Sequence, residues 1–311
     1  MIVTAFVAGL AAGEETSRKP AFVPNDKGEF AFDTGVLRGT LRQGGKSLGL
    51  VPVLHVPTGA RLDRSMGILS FYRVFTTGQR YGAGAWDWTS TAKLLPDGAV
   101  QVTWPEAPDR PFEMTALYRW HDPQTIDLET TVTARKDLSK FESFLAAYLG
   151  EAFPTPCIYV REDPEARGKP GLLPARKTYG DWQMFPRDEQ VLPIIRDGRW
   201  GLQPNPVNWT IMPRLAAPLA LRRGAGNGLV AVLMAPPDEC FTIATPYEGE
   251  GHYSLYMSRF GQDFKSGQTA KARTRLVITA NLADEQAVTL YQEYMKELSA
   301  KVPSGAGTSA H

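Results

Sequence analysis

The constraint that most narrows the fold of this chain is a two-residue hydrophobic period with no helical period between its occurrences. In the stretch TIDLETTVTA, residues Ile126, Leu128, Thr130, Val132 and Ala134 alternate with Asp127, Glu129, Thr131 and Thr133. Successive side chains of a strand point to opposite faces, so this spacing belongs to a strand with one face buried. Similar strand signals occur at Val100 to Trp104, Met114 to Trp120, Leu229 to Ala235, Phe241 to Thr245, His252 to Arg259 and Lys271 to Ala280. Pro96-Asp97-Gly98 and Gly224 to Gly228 supply turns between them. With no strand–helix alternation, nothing supports a parallel doubly wound sheet. The expected fold is all-β and antiparallel, in one domain over residues 25–301.

One helix is expected near the C-terminus, where Val288, Tyr291, Tyr294 or Met295, and Leu298 share a face, with Asn281 or Asp284 as its cap. Residues 302–311, ending PSGAGTSAH, are too small and polar to pack and read as a disordered tail. The charged, Gly- and Pro-rich stretch Glu162 to Pro174 reads as a long crossover or a lid over a site. At the other end, the apolar run Ile2 to Leu10 followed by Ala11, Ala12 and Gly13 makes residues 1–13 signal-like, and the expected location is secreted or periplasmic. A buried first strand is the competing reading of that run. Cys157 and Cys240 could pair in an oxidising compartment, or remain two buried thiols.

A formal net charge of +1 over 311 residues gives no field to collect nucleic acid or anionic lipid. No later run approaches the ~20 apolar residues of a membrane helix, so membrane insertion is not expected. The chain has no GxxxxGK[ST] loop, CxxC pair, HExxH or GxSxG elbow, which removes local support for a nucleotide, zinc or serine-hydrolase site. No cofactor and no metal are expected. Nothing in the pattern sets an oligomeric state.

The positive signal is a set of aromatic and charged patches. LSFYRVFTTGQRYGAGAWDW (Leu69 to Trp88) concentrates Tyr72, Arg73, Arg80, Tyr81, Trp86, Asp87 and Trp88. GDWQMFPRD carries Trp182 and Arg187, and YEGEGHYSLYMSR carries Glu248, Glu250 and His252. Aromatic faces cover the apolar faces of a sugar ring, while guanidinium and carboxylate groups bond its hydroxyls, so the composition suits a saccharide. Arg73, Arg80, Tyr81, Trp86, Trp88, Trp182 and Arg187 are therefore candidate binding residues, with Trp200 a further platform candidate. Trp104 and Trp120, inside strand patterns, read as core.

Of the four histidines, His55 reads as a core residue, His121 as a solvated turn and His311 as tail. His252 is expected on a polar strand face with Ser254, Tyr256 and Ser258, opposite Tyr253, Leu255 and Met257. Histidine titrates near neutral pH, so it suits acid–base work, with Glu151, Glu250 or Asp87 as its carboxylate counterpart. Asp181, before Trp182, is a further carboxylate in aromatic surroundings. Arg73 or Arg80 would bind a sugar's hydroxyls or a uronate.

The many-stranded chain with its YRVF, RYG, WDW, FPRD and HYSLY patches resembles the galactose mutarotase-like super-sandwich over roughly residues 30–280. It also resembles a group of exported bacterial proteins sharing those patches. The first resemblance implies a fold used by aldose epimerases, glycoside hydrolase domains and polysaccharide lyases. It also implies a histidine acid and a glutamate base, roles that His252 and Glu151 or Glu250 match by type. Three classes remain open: an acid–base carbohydrate enzyme (hydrolase, lyase or epimerase), a noncatalytic glycan-binding module, and a structural β-sandwich of the cell envelope.

Overall fold

The computed structural model describes residues 19–42 and 47–300, so the signal-like segment 1–13 and the tail 302–311 lie outside the described residues. Among the described residues the chain forms a 12-stranded and a 9-stranded sheet. Strand pairing is antiparallel except where Trp182–Pro186 runs parallel to Thr210–Ile211. No helix among the described residues is long and apolar enough to cross a membrane.

The larger sheet centres on Asp63–Thr76, Leu138–Leu149, Ser254–Phe264, Cys240–Pro246 and Trp182–Pro186, hydrogen-bonded in that order. The smaller centres on Leu215–Arg223, Leu229–Met234, Thr269–Ala280, Thr125–Ala134 and Phe112–Asp122. Period-2 alternation places Leu145, Ala147, Leu255 and Met257 of the first against Trp104, Met114, Leu128 and Leu233 of the second in one buried cluster. Phe71 meets Trp104 edge-on across the layer, with ring centroids 5.0 Å apart. Trp104 and Trp120 are core, as their strand patterns imply, and so is His55, whose Nδ1 lies 2.8 Å from Thr58 Oγ1. Phe22 already belongs to this core, against Phe32 and Trp120.

The 17-residue helix Asp284–Ala300 lies where its period predicts, burying Ala287, Tyr291 and Tyr294 against Leu219, Val232 and Val277 on the outer face of the smaller sheet. Its first turn is not capped as expected. Gln286 reaches back so that its Oε1 accepts from Ala283 N at 2.8 Å, and Asp284 instead pairs with Arg223. The stretch Glu162 to Pro174 is neither lid nor crossover. Thr155–Asp163 and Lys169–Pro174 pair as a hairpin, because Asp163 closes the turn by accepting from Glu165 N at 2.8 Å. His121 is exposed, as expected, but lies at a strand end rather than in a turn, with Nδ1 3.2 Å from Arg275 Nη2.

The outer face of the larger sheet is covered by an excursion over residues 187–209. Asp188 starts it by capping the Glu189–Val191 turn, and Arg199 fastens it to the sheet. That guanidinium is wholly buried, 2.8 Å from Glu142 and 2.8 Å from Asp197, and donates to Lys140 O at 3.1 Å. Burial pushes the Glu142 carboxyl up in spite of Arg199, which shows how much of the ion pair's attraction is spent on desolvation.

Two outcomes follow. Arg199→Met leaves Glu142 as an uncompensated buried charge and should lower unfolding stability by about 3–5 kcal/mol in denaturant titration. A loss within error of zero would mean that the pair does not anchor the excursion. Cys157 and Cys240 are both free and buried, and burial pushes their thiols up to about 11 and about 12. Neither should react with a thiol reagent in the native state at neutral pH, and both should react after unfolding without reductant. A chain with no reactive thiol when unfolded would carry the disulfide instead.

Candidate functional site

On the outer face of the larger sheet, the alternation that buries Leu145 and Leu255 inward turns Tyr72, Phe144, Tyr148 and Tyr256 outward. With Trp182 they floor a cleft of about 390 Å³, and Asn205, Pro206, Val207 and Trp209 of the excursion form its roof. Arg73 and His252 complete the lining. The walls are aromatic: Tyr72 stacks on Trp86 at 4.5 Å, Phe144 on Tyr256 at 4.8 Å, and Trp182 meets Trp209 edge-on at 5.8 Å.

His252 sits at the rim, 5.6 Å from the Trp182 ring. It lies in the turn before the strand, which begins at Ser254, because Tyr253 adopts a left-handed conformation with φ of 47°. The face expected for Ser254, Tyr256 and Ser258 is observed, but it is buried, and His252 precedes it. Glu250 grips the histidine twice: Oε1 is 2.6 Å from Nδ1, and Oε2 accepts from the backbone N at 2.7 Å. A carboxylate on Nδ1 fixes the tautomer and leaves Nε2 as the nitrogen that can take or give a proton.

Arg73 is 3% exposed. Its Nη2 donates to Asn205 O at 2.7 Å and lies 3.3 Å from Tyr72 Oη, and its guanidinium stacks 4.8 Å from the Tyr72 ring and 5.5 Å from Trp200. The three cleft tyrosines differ in acidity. Burial raises Tyr148 far above its usual range and pushes Tyr256 up to about 12. Burial acts on Tyr72 in the same direction, but the Arg73 charge, hydrogen bonds from Arg73 and Asn205, and the Arg80 charge outweigh it and hold the phenol below its ordinary value.

Of the residues singled out from sequence, Arg73, Trp182 and His252 meet at the cleft, with Glu250 directly behind the histidine. Trp86 and Trp200 are buried supports under Tyr72 and Arg73 rather than exposed platforms. Arg80 braces the roof, donating to Gly82 O, Ala83 O, Leu202 O and Pro204 O. Tyr81 belongs to the core between the sheets, edge-on to Phe112 and bonded to Thr76. Trp88 packs beneath Arg110, 4.2 Å from its guanidinium. Arg187 is held by Asp188 at 2.7 Å and by Pro237 O. Glu151 is exposed and pairs with Arg64 at 3.5 Å, and Asp87 is exposed in the Ala85–Asp87 turn. Neither lines the cleft, nor does Asp181.

Sequence reasoning did not select Tyr148, Tyr256, Trp209 or Asn205. Tyr148 and Tyr256 were findable as polar-tipped aromatics inside apolar strands. Asn205 and Trp209 reach the site only through the path of the excursion, which carries no local signal. No carboxylate lines the cleft, so the two-carboxylate arrangement of most glycoside hydrolases is not assembled there. Among the described residues no cluster of three or more His, Cys, Asp or Glu side chains has metal-holding geometry.

No protein-family model matches the chain, and no curated protein matches it in sequence. Solved structures do match. The Slr1438 protein from Synechocystis sp. superposes with a TM-score of 0.50 at 10% identity, over 90% of this chain and 100% of that one. A quadruple mutant of the alpha-N-acetylgalactosaminidase NagBb from Bifidobacterium bifidum gives 0.53 at 14% identity, over 86% of this chain but 39% of the enzyme. A galactose mutarotase related enzyme from Lactobacillus acidophilus gives 0.45 at 9% identity, over 82% and 99%. Likeness at these identities is one of architecture: two packed, largely antiparallel β-sheets with one long C-terminal helix.

Proposed function

We propose that the protein is carbohydrate-active and acts on a sugar ring held in this cleft by proton transfer, with His252 as the acid–base group. The observation that carries the reading is the Glu250–His252 pair at the mouth of an aromatic-walled cleft lined by an arginine and three tyrosines. Indole and phenol faces at Trp182, Trp209 and Tyr256 suit the apolar faces of a pyranose. Glu250 orients the imidazole through its contact with Nδ1 and leaves Nε2 for the substrate. Tyr72, its phenol acidified by Arg73, is the second proton carrier in place of a carboxylate. This set favours elimination or epimerisation next to a carbonyl over direct glycoside hydrolysis. The apolar run at the N-terminus supports export, which would bring the cleft to extracellular glycans.

A panel of mono-, oligo- and polysaccharides tests the reading by calorimetry and by three product assays: reducing ends, ultraviolet absorbance of unsaturated sugars, and anomeric exchange by NMR. On a sugar that turns over, His252→Ala should lower kcat/KM by roughly 10²- to 10⁴-fold while the protein stays folded. Full activity in that variant would remove His252 from the mechanism. Tyr72→Phe should cost at least tenfold in kcat with a smaller change in sugar affinity. An equal loss in both would make Tyr72 a binding residue only. A sugar that binds and is never altered would establish the noncatalytic binding module instead.

A further inference from the structure

Two arginines lie over the Tyr72 ring, with the Arg73 and Arg80 guanidinium carbons 4.8 and 5.8 Å from its centroid. Among the described residues neither has a carboxylate partner. Arg80 is satisfied by four backbone carbonyls, but Arg73 is not. Of the five N–H donors on its guanidinium, those on Nη2 are engaged by Asn205 and Tyr72, while Nε and Nη1 are buried and have no hydrogen-bond partner.

A buried cation with unused donors beside a second cation is costly, and the cost is met by an anion. The repulsion is visible in Arg80, whose guanidinium is pushed down by burial and then by the Arg73 charge. A sugar hydroxyl offers lone pairs but no charge to set against the two. A carboxylate offers both, and its two oxygens can accept from the guanidinium fork in parallel.

We infer that the cleft takes an acidic sugar, a uronate, with its carboxylate seated at the Arg73–Tyr72 corner under Asn205. The inference rests on the proposed sugar site and narrows its substrate class. It also gives the chemistry a direction, because a carboxylate whose charge is offset by Arg73 can take up the electron pair left when the neighbouring ring C–H loses its proton. His252 or Tyr72 would take the proton. The electron pair is held in the carboxylate as an enediolate, then expels the leaving group on the neighbouring carbon or regains a proton from the other face.

Calorimetry on the full chain tests the inference with trisaccharides of galacturonate, glucuronate and mannuronate, each as free acid and as methyl ester, beside a sulfated neutral trisaccharide. At least one free acid should bind tenfold or more tighter than its ester, with an advantage that shrinks as salt is raised and is lost in Arg73→Gln. Because the acid–ester comparison needs only the unaltered protein, a folding failure of the variant leaves the test intact. Equal affinity for acid and ester, with both binding, overturns the inference and leaves the sugar site standing. A sulfated sugar binding as tightly as the best acid overturns the carboxylate assignment. Binding of neither these probes nor any neutral sugar overturns both the inference and the site.

Discussion

Arg222 lies wholly inside the protein, and its guanidinium is held by oxygen atoms that carry no net charge. It springs from the smaller sheet and crosses to the larger, donating to Phe153 O at 2.7 Å, Pro154 O at 2.6 Å and Ser254 O at 3.2 Å, with Thr245 Oγ1 at 3.4 Å. Burial pushes it down to about 10, so it keeps its charge at neutral pH and each bond is charge-assisted. Those oxygens terminate three neighbouring stretches of the larger sheet: the turn after Leu138–Leu149, the end of Cys240–Pro246 and the start of Ser254–Phe264. The Tyr253 ring packs 5.7 Å from the same guanidinium. The turn that presents His252 is therefore fixed from within the sandwich, and one buried cation couples the closure of the two layers to the placement of the candidate acid–base group.

The larger sheet carries two cores on its two faces. Leu138–Leu149 shows the consequence best, for Leu145, Ala147 and Leu149 pack toward the smaller sheet while Phe144, Ala146 and Tyr148 pack under the excursion. A strand buried on both sides loses the polar half of its alternation. Its sequence then reads as a continuous apolar run, which periodicity cannot distinguish from a buried helix.

That loss explains which parts of the molecule were legible beforehand. Strands with one solvated face, such as Thr125–Ala134 and Val100–Trp104, announce themselves residue by residue, and so does the helix with its 3.6-residue stripe. Leu138–Leu149, the most central strand of the larger sheet, gives no such signal. At the cleft, each of the three aromatic and charged patches contributes lining residues but mixes two kinds of residue. Arg73, Trp182 and His252 face the cleft, while Tyr81 and Arg80 from the same patch face the core and the roof. A Tyr or Arg in a glycine-broken stretch has the same composition in either case. Only the direction of the side chain, set by strand register, separates them.

Floor and roof of the cleft come from different kinds of chain. The floor is five neighbouring strands locked by backbone pairing and by the core behind them. The roof is one contiguous excursion, entered at Asp188, tethered at Arg199 and returned by the short parallel pair at Thr210–Ile211. Insertions or replacements between the tether and the return would reshape the roof of the cleft without disturbing the pairing beneath. The shape of the cleft is thus a modular trait, free to diverge by changes in one segment while the layered scaffold and the residues on its outer face stay as they are.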